Sequence, residues 1–261
     1  MLIRPWQELF YERLQVKIYE SEGDLGRAAA DLTSQITKAM LSSQETVRVM
    51  FSTGASQFSF VDGLKVQNID WRRIAAFHLD EYEGIDETHP ASFRLWLKTR
   101  IEETFKPGAF YYIEGDAPDA EAECQRYARL LEENPIDLGF IGIGENGHIA
   151  FNDPPVADFA DPVKVKVVEL DEMCRRQQVG EGWFPTIDDV PRRALSLTVP
   201  AIMECTQIIS VVPDGRKANA VQQALEGPIS TTCPASILRT HPNATLFLDK
   251  NSASKLAALA R

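Results

Sequence analysis

The 261-residue chain is predicted to be an α/β protein, a three-layer, doubly wound and mostly parallel sheet in a single domain spanning residues 1–261. Short β-rich runs alternate with longer amphipathic segments, which implies strands joined by crossover helices. One apolar run, Ile136-Asp-Leu-Gly-Phe-Ile-Gly-Ile-Gly, passes directly into Glu145-Asn-Gly-His-Ile-Ala-Phe-Asn-Asp-Pro-Pro, as the C-terminal end of a buried parallel strand does where open sheets place their ligands. No repeat, low-complexity tract or Gly/Ser/Pro-rich linker divides the chain.

In order along the chain, apolar residues recur at three- and four-residue spacing over Asp24–Leu41, a helix, and Val47–Ser52 follows as the first strand. A helix begins near Ser56. Ile74–Leu79 is the next strand, then come the helix Ser92–Thr104, the strand Phe110–Ile113 and the helix Ala120–Leu131. Leu138–Ile143 is the central strand, and Val163–Leu170 another. Asp171–Pro191 mixes charge, aromatics and glycine without a clean period, which suits a surface excursion or a substrate lid. Leu195–Val199 and Ile208–Val212 return to the sheet, Gly215–Leu225 is helical and Thr245–Leu248 is the last strand. The topology expected of this alternation is Rossmann-like.

Composition narrows the function. A formal net charge of −11 argues against general affinity for nucleic acid or an anionic membrane, both of which need basic surface. Cys124, Cys174, Cys205 and Cys233 form no Cys-x-x-Cys pair, so neither a zinc site nor a disulfide framework is signalled. The N-terminus lacks the pattern of a signal peptide and no apolar stretch is long enough to span a bilayer, so a cytoplasmic protein is expected.

Four loops carry candidate chemistry. Gly142-x-Gly144-x-x-Gly147 matches the dinucleotide fingerprint, but Asn152-Asp-Pro-Pro stops the helix that would point its amides at a pyrophosphate. In the same loop His148 lies two residues after Asn146 and five before Asp153, close enough for the amide and carboxylate to fix its tautomer for proton transfer. A structural loop histidine is the bland alternative. Asp80 and Glu81 end another strand, where a partly desolvated carboxylate can have its pKa raised enough to act as a base, unless Asp80 merely caps the following turn. Ser52-Thr53-Gly54-Ala55-Ser56 joins a strand to a helix, and its small residues let amides close on an anion, although N-capping by Ser56 explains part of the pattern. Arg216 and Lys217 stand at a helix start, where the dipole disfavours cations unless an anion lies nearby; two solvated side chains are the alternative.

Taken together, Leu79-Asp-Glu-Tyr, His89-Pro-x-Ser-Phe, Gly-x-Asn-Gly-His-Ile-Ala-Phe-Asn and Val190-Pro-x-x-Ala-Leu-Ser-Leu-Thr resemble the glucosamine-6-phosphate deaminase (isomerase) family, in a superfamily shared with 6-phosphogluconolactonases. The resemblance covers nearly the whole chain. It implies that Asp80 moves the C2 proton of glucosamine 6-phosphate, that His148 opens the sugar ring, and that Asp153 and Asn146 tune and orient His148, with Glu81 beside the base. It also implies that Ser52, Thr53, Gly54, Ala55, Ser56, Gly144 and Lys217 hold the substrate and its phosphate. No metal or organic cofactor is implied, and closed homo-oligomers are.

Three departures from the family pattern stand out. Asp153 replaces the Glu of many members, so reach to His148 is in question. Asn146 stands where some members have Asp. Gly182 stands where the best-known deaminases present an Arg to the phosphate, with Arg175 or Arg176 as substitutes. Two rivals remain, lactone hydrolysis, against which Ile149-Ala-Phe-Asn-Asp-Pro argues, and a sugar-phosphate sensor, against which the lack of a basic helix-turn-helix segment ahead of Val47 argues.

Overall fold

A computed structural model describes residues 3–259. The chain opens with two strands, β1 (Gln7–Tyr11) and β2 (Leu14–Tyr19), then α1 (Glu22–Leu41), β3 (Val47–Phe51), α2 (Phe58–Leu64), β4 (Ile74–His78) and the short β5 (Asp80–Tyr82). There follow α3 (Phe93–Leu97), α4 (Glu103–Phe105), β6 (Ala109–Phe110), α5 (Ala120–Glu133), β7 (Leu138–Ile141) and β8 (Val165–Glu169). The last third holds α6 (Glu172–Gly180), β9 (Arg193–Leu197), α7 (Val199–Met203), β10 (Gln207–Val212), α8 (Ala218–Glu226) and β11 (Ala244–Asp249).

Eight strands form one sheet in the order β1-β2-β11-β10-β7-β3-β4-β6. Only the β1–β2 pair is antiparallel; the other pairings are parallel. From β3 the chain steps outward through β4 to β6, then returns to β7 on the other side of β3 and steps the opposite way to β10 and β11. The reversal between β3 and β7 opens a crevice at their C-terminal ends, the position at which open α/β sheets bind ligands.

Side chains alternating along the strands fill two cores, one on each face. Val47, Val49 and Phe51 of β3 join Leu138 and Phe140 of β7 against Leu25 of α1 and Phe60 of α2. On the other face Met50, Ile141 and Ile208 pack against Tyr127 of α5 and Val221 of α8. Helices therefore cover both faces of the sheet, as predicted.

Two corrections concern the first third and the lid candidate. Strands β1 and β2 precede Val47: Val16 and Ile18 are buried while Gln15 and Lys17 are not, a period of two in a run too short and too charged to stand out. Asp171–Pro191 is not irregular throughout, because α6 fills its first half and Thr186 and Asp189 close a capping box in its second. The predicted Ser92–Thr104 helix exists with Ser92 accepting from the Leu95 amide at its start, but a π turn over Lys98–Glu102 separates α3 from α4.

A second sheet, β5-β9-β8, is antiparallel and stands over the crevice. Leu79 alone separates β5 from β4, and its carbonyl accepts from the Leu197 amide. The main sheet thus hands its chain directly to the small one at Asp80. A third apolar cluster, including Tyr82, Phe151, Cys174 and Phe184, packs the small sheet against α6.

Candidate active site

The crevice at the β3/β7 reversal, about 590 Å³ with the open solvent at its mouth included, is lined by Ser52–Ser56 after β3, Asp80, Gly142–Gly144 after β7, His148, Lys217 and the helix α6. Parallel pairing of β3 with β7 sets the two loops side by side, and the Ser52 amide donates to the Phe140 carbonyl at 2.9 Å. Gly142 lies against Ser52, Ser56 and Gln57, so a Cβ there would sit 3.3 Å from the Gln57 amide nitrogen.

The His148 loop is a closed hydrogen-bond circuit. The His148 Nδ1–H donates to Asp153 Oδ1 at 2.8 Å, the Asn146 Nδ2 donates to the same oxygen at 2.9 Å, and Asn146 Oδ1 accepts from the His148 amide at 3.1 Å. The Asp171 amide donates to Asp153 Oδ2 at 3.2 Å. An ionised carboxylate only accepts, so Nδ1 carries a proton, and it is Nε2 that gives up or takes the second one. Burial raises the pKa of Asp153, but the charge and hydrogen bond of His148, helped by Asn146 and the Asp171 amide, outweigh it and hold the carboxyl below its ordinary value.

Asp153 reaches the ring despite its shorter side chain because the backbone is sharply folded between them. Ala150 takes φ 49° and Ile149 bridges Asn152. Gly144 is required by the same packing: a Cβ there would lie 2.3 Å from His148 Nε2. Gly147, at φ 85°, turns the loop, and a Cβ would meet the Cys233 sulfur at 2.6 Å. No helix follows these glycines, so the dinucleotide reading fails as its prolines predicted.

Asp80 and Glu81 diverge because strand neighbours point to opposite faces. Asp80 lines the cavity, is buried, and receives no hydrogen bond on its carboxylate among the described residues. Burial, and next the neighbouring Glu81, push its pKa well above the ordinary carboxylate range. Glu81 points away. It accepts from the Ser92 hydroxyl at 2.8 Å and from the Phe93 and Arg94 amides at 3.1 and 2.9 Å, and stands 3.6 Å from Arg94 Nε. The expectation that Glu81 shares in catalysis is therefore corrected: it closes the start of α3. His78 is likewise structural, its Nε2 accepting from the Ile113 amide and its Nδ1–H donating to the Asp80 carbonyl, with burial pushing its pKa down to about 3.

At the other end, the Ser52 hydroxyl is buried without a hydrogen-bond partner among the described residues. Lys217 is also buried, and its ammonium makes no ion pair or hydrogen bond among the described residues, so burial pushes its pKa down. Ser56 does not cap a helix: its hydroxyl accepts from Gln57, and a 3-10 turn over Ala55–Gln57 precedes α2. Arg175 and Arg176 are corrected. The Arg175 guanidinium donates to the Ile187 and Val190 carbonyls, tying down the second half of the segment, and Arg176 is exposed and paired with Glu172. Neither lines the cavity.

Sequence reasoning missed the roof. Gln177, Gln178 and Glu181 of the α6 segment line the cavity, as do Phe93 and Phe151. Positions 177, 178 and 181 share one helical face, a signal hidden by the short, charge-rich run around it. One metal-type grouping also involves this helix: a His148 ring nitrogen, an Asp153 oxygen and Cys174 Sγ lie within 4.8 Å of one another. The first two are engaged with each other, and burial, followed by the Asp153 charge, pushes the Cys174 thiol well up, so the trio is a hydrogen-bonding network without a ready thiolate.

Comparison with known proteins places this geometry. The family model for glucosamine-6-phosphate isomerases/6-phosphogluconolactonase matches residues 20–247. The glucosamine-6-phosphate deaminase of Lactobacillus delbrueckii subsp. bulgaricus is 32% identical over 244 residues, covering 93% of this chain and all of the relative. That of Listeria monocytogenes serovar 1/2a is 33% identical over 228 residues, covering 85% and 93%. The solved structure of a monomeric glucosamine-6-phosphate deaminase superposes with a TM-score of 0.83 at 30% identity over 92% of this chain and 98% of that one. A 6-phosphogluconolactonase from Thermotoga maritima shares the fold, with a TM-score of 0.73 at 18% identity over 90% and 99%. The chain belongs to the glucosamine-6-phosphate isomerase/6-phosphogluconolactonase family.

Proposed function

We propose that the protein is a glucosamine-6-phosphate deaminase, converting glucosamine 6-phosphate and water to fructose 6-phosphate and ammonia. The observation that carries this is the pairing, in one cavity, of a bare buried carboxylate, Asp80, with an imidazole whose Nδ1 is locked by Asp153. A carboxylate free of protein donors and an imidazole with a fixed orientation can divide base from acid work on one ligand.

In this reading the phosphate lies against Ser52–Ser56 and Lys217, which places C1 and C2 beside Asp80. His148 Nε2 relays a proton at the ring oxygen and opens the sugar. Asp80 takes the C2 proton to give an enolamine, and protonation at C1 leaves an imine at C2. Water adds to C2 and ammonia departs. Positioned proton transfer of this kind supplies on the order of 10²–10⁴ in rate. The deaminase relatives and the Ile149-Ala-Phe-Asn-Asp-Pro run both favour this over lactone hydrolysis.

The substrate is a small sugar phosphate, and a closed homo-oligomer is the assembly that the resemblance implies. Among the described residues no helix is long and apolar enough to cross a membrane. The four buried free thiols support a reducing, cytoplasmic setting.

The test is incubation with glucosamine 6-phosphate in D₂O, following C2 proton loss by NMR and ammonia in the same tube, with Asp80→Asn as control. Exchange with ammonia release, both lost in the control, is expected. Exchange without ammonia indicates an isomerase of another sugar phosphate, and no exchange removes the substrate assignment.

A further inference from the structure

A cavity meant for a phosphate dianion should carry surplus positive charge, and this one does not. Apart from His148, its charged lining is one ammonium, Lys217, against two carboxylates, Asp80 and Glu181. Glu181 is held rigidly: Oε1 accepts from Gln177 Nε2 at 2.8 Å and Oε2 from the Trp183 indole N–H at 3.1 Å. Each oxygen keeps a lone pair for another donor. Gln177 is itself braced, its Oε1 accepting from the Glu145 amide at 3.2 Å. Glu181 is also the leading charge that offsets the effect of burial on Lys217, so its field reaches the anion seat.

We propose that Glu181 is the specificity-determining residue of this cavity: its fixed carboxylate weakens the binding of a bare dianion at Lys217 and makes tight binding depend on a sugar whose hydroxyl or amino hydrogens donate to it. A like charge near a buried seat is costly to any anion. A donor-bearing sugar converts that cost into a charge-assisted hydrogen bond, so a phosphorylated sugar is favoured over other phosphate compounds. The proposal rests on the reading of Ser52–Ser56 and Lys217 as the phosphate seat.

The test uses calorimetric titration of the whole protein with inorganic phosphate, at a pH above its second ionisation. Glu181→Gln and Glu181→Ala are the variants, Lys217→Met is the control, and thermal melts confirm that each folds. Both Glu181 variants are expected to bind inorganic phosphate on the order of 10-fold more tightly than the native chain, while the Lys217 variant binds it more weakly. In an Asp80→Asn background, which slows turnover, Glu181→Gln should also shrink the preference for glucosamine 6-phosphate over inorganic phosphate by about the same factor. Unchanged or weaker phosphate binding in both Glu181 variants overturns the proposal, as does a lack of phosphate binding in every form. Failure of the deaminase reading shows separately, as absent C2 exchange in D₂O.

Discussion

Two buried aspartates face one cavity from different parts of the fold and are treated in opposite ways. Asp80, on the wall made by β5, receives no hydrogen bond on its carboxylate among the described residues, and burial drives its pKa up. Asp153, in the loop after β7, accepts from His148, Asn146 and the Asp171 amide and is driven down. A carboxylate whose lone pairs are filled by protein donors fixes its neighbours; one left bare is free to take a proton from a ligand. The difference is the one that the proposed roles of base for Asp80 and orienting group for Asp153 require.

The strongest way to break the comparison is to remove the charge at each site. Asp80→Asn should lower the turnover of glucosamine 6-phosphate by about 10²–10⁴ while leaving the thermal midpoint unchanged or higher, since no donor loses its acceptor. A variant within tenfold of native turnover ends the assignment of Asp80 as base. Asp153→Ala should lower turnover by about 10²-fold through misplacement of the His148 ring and also cost about 1–3 kcal/mol, because the Asn146 and Asp171 donors lose their partner. Loss of rate with unchanged urea unfolding would show that the circuit does not hold the loop.

Glu81 sharpens the contrast because it is the sequence neighbour of Asp80. Glu81→Gln should cost about 1–3 kcal/mol in chemical denaturation, because one acceptor oxygen becomes a donor facing the Ser92, Phe93 and Arg94 groups. Turnover should stay within a few-fold of native, a smaller effect than either aspartate gives. A hundredfold loss of turnover without loss of stability would return Glu81 to the catalytic set.

How much of this was legible in the sequence follows from where the physics acts. Strand–helix alternation revealed most of the main sheet, because parallel strands buried on both faces read as apolar runs such as Leu138–Ile141. Strands β1, β2 and β5 escaped, the first two in short runs that carry charges and the last only three residues long. The His148 circuit was legible because its partners lie within a few residues of one another. Asp80 and Glu81 were indistinguishable as letters. Only pairing of β5 with β9 fixes which faces the cavity. Arg175 does not reach the cavity because the Ile187 and Val190 carbonyls, 12 and 15 residues on, claim its guanidinium.

The smallest effect is also the most selective, since the two aspartates should give stability curves of opposite sense against pH. Asp153 has a lowered folded pKa, so its contribution is present above the unfolded value of about 3.9 and disappears as pH falls through the folded value. Asp80 has a raised folded pKa. Below about pH 4 both states hold its proton and it contributes nothing; above that, the unfolded chain ionises first, and the folded state loses stability until the raised pKa is passed. The thermal midpoint of Asp80→Asn minus that of the native chain should therefore start near zero in acid and grow toward neutral pH. The native chain minus Asp153→Asn should also vanish in acid, but there the native chain is the one that gains with pH. Melts of the three proteins from about pH 2 to pH 8 read both differences, that of Asp153 in the acid part of the range and that of Asp80 above about pH 4, and a flat curve for Asp80→Asn would mean that Asp80 ionises as freely in the folded chain as in the unfolded one, leaving it no special fitness as a base.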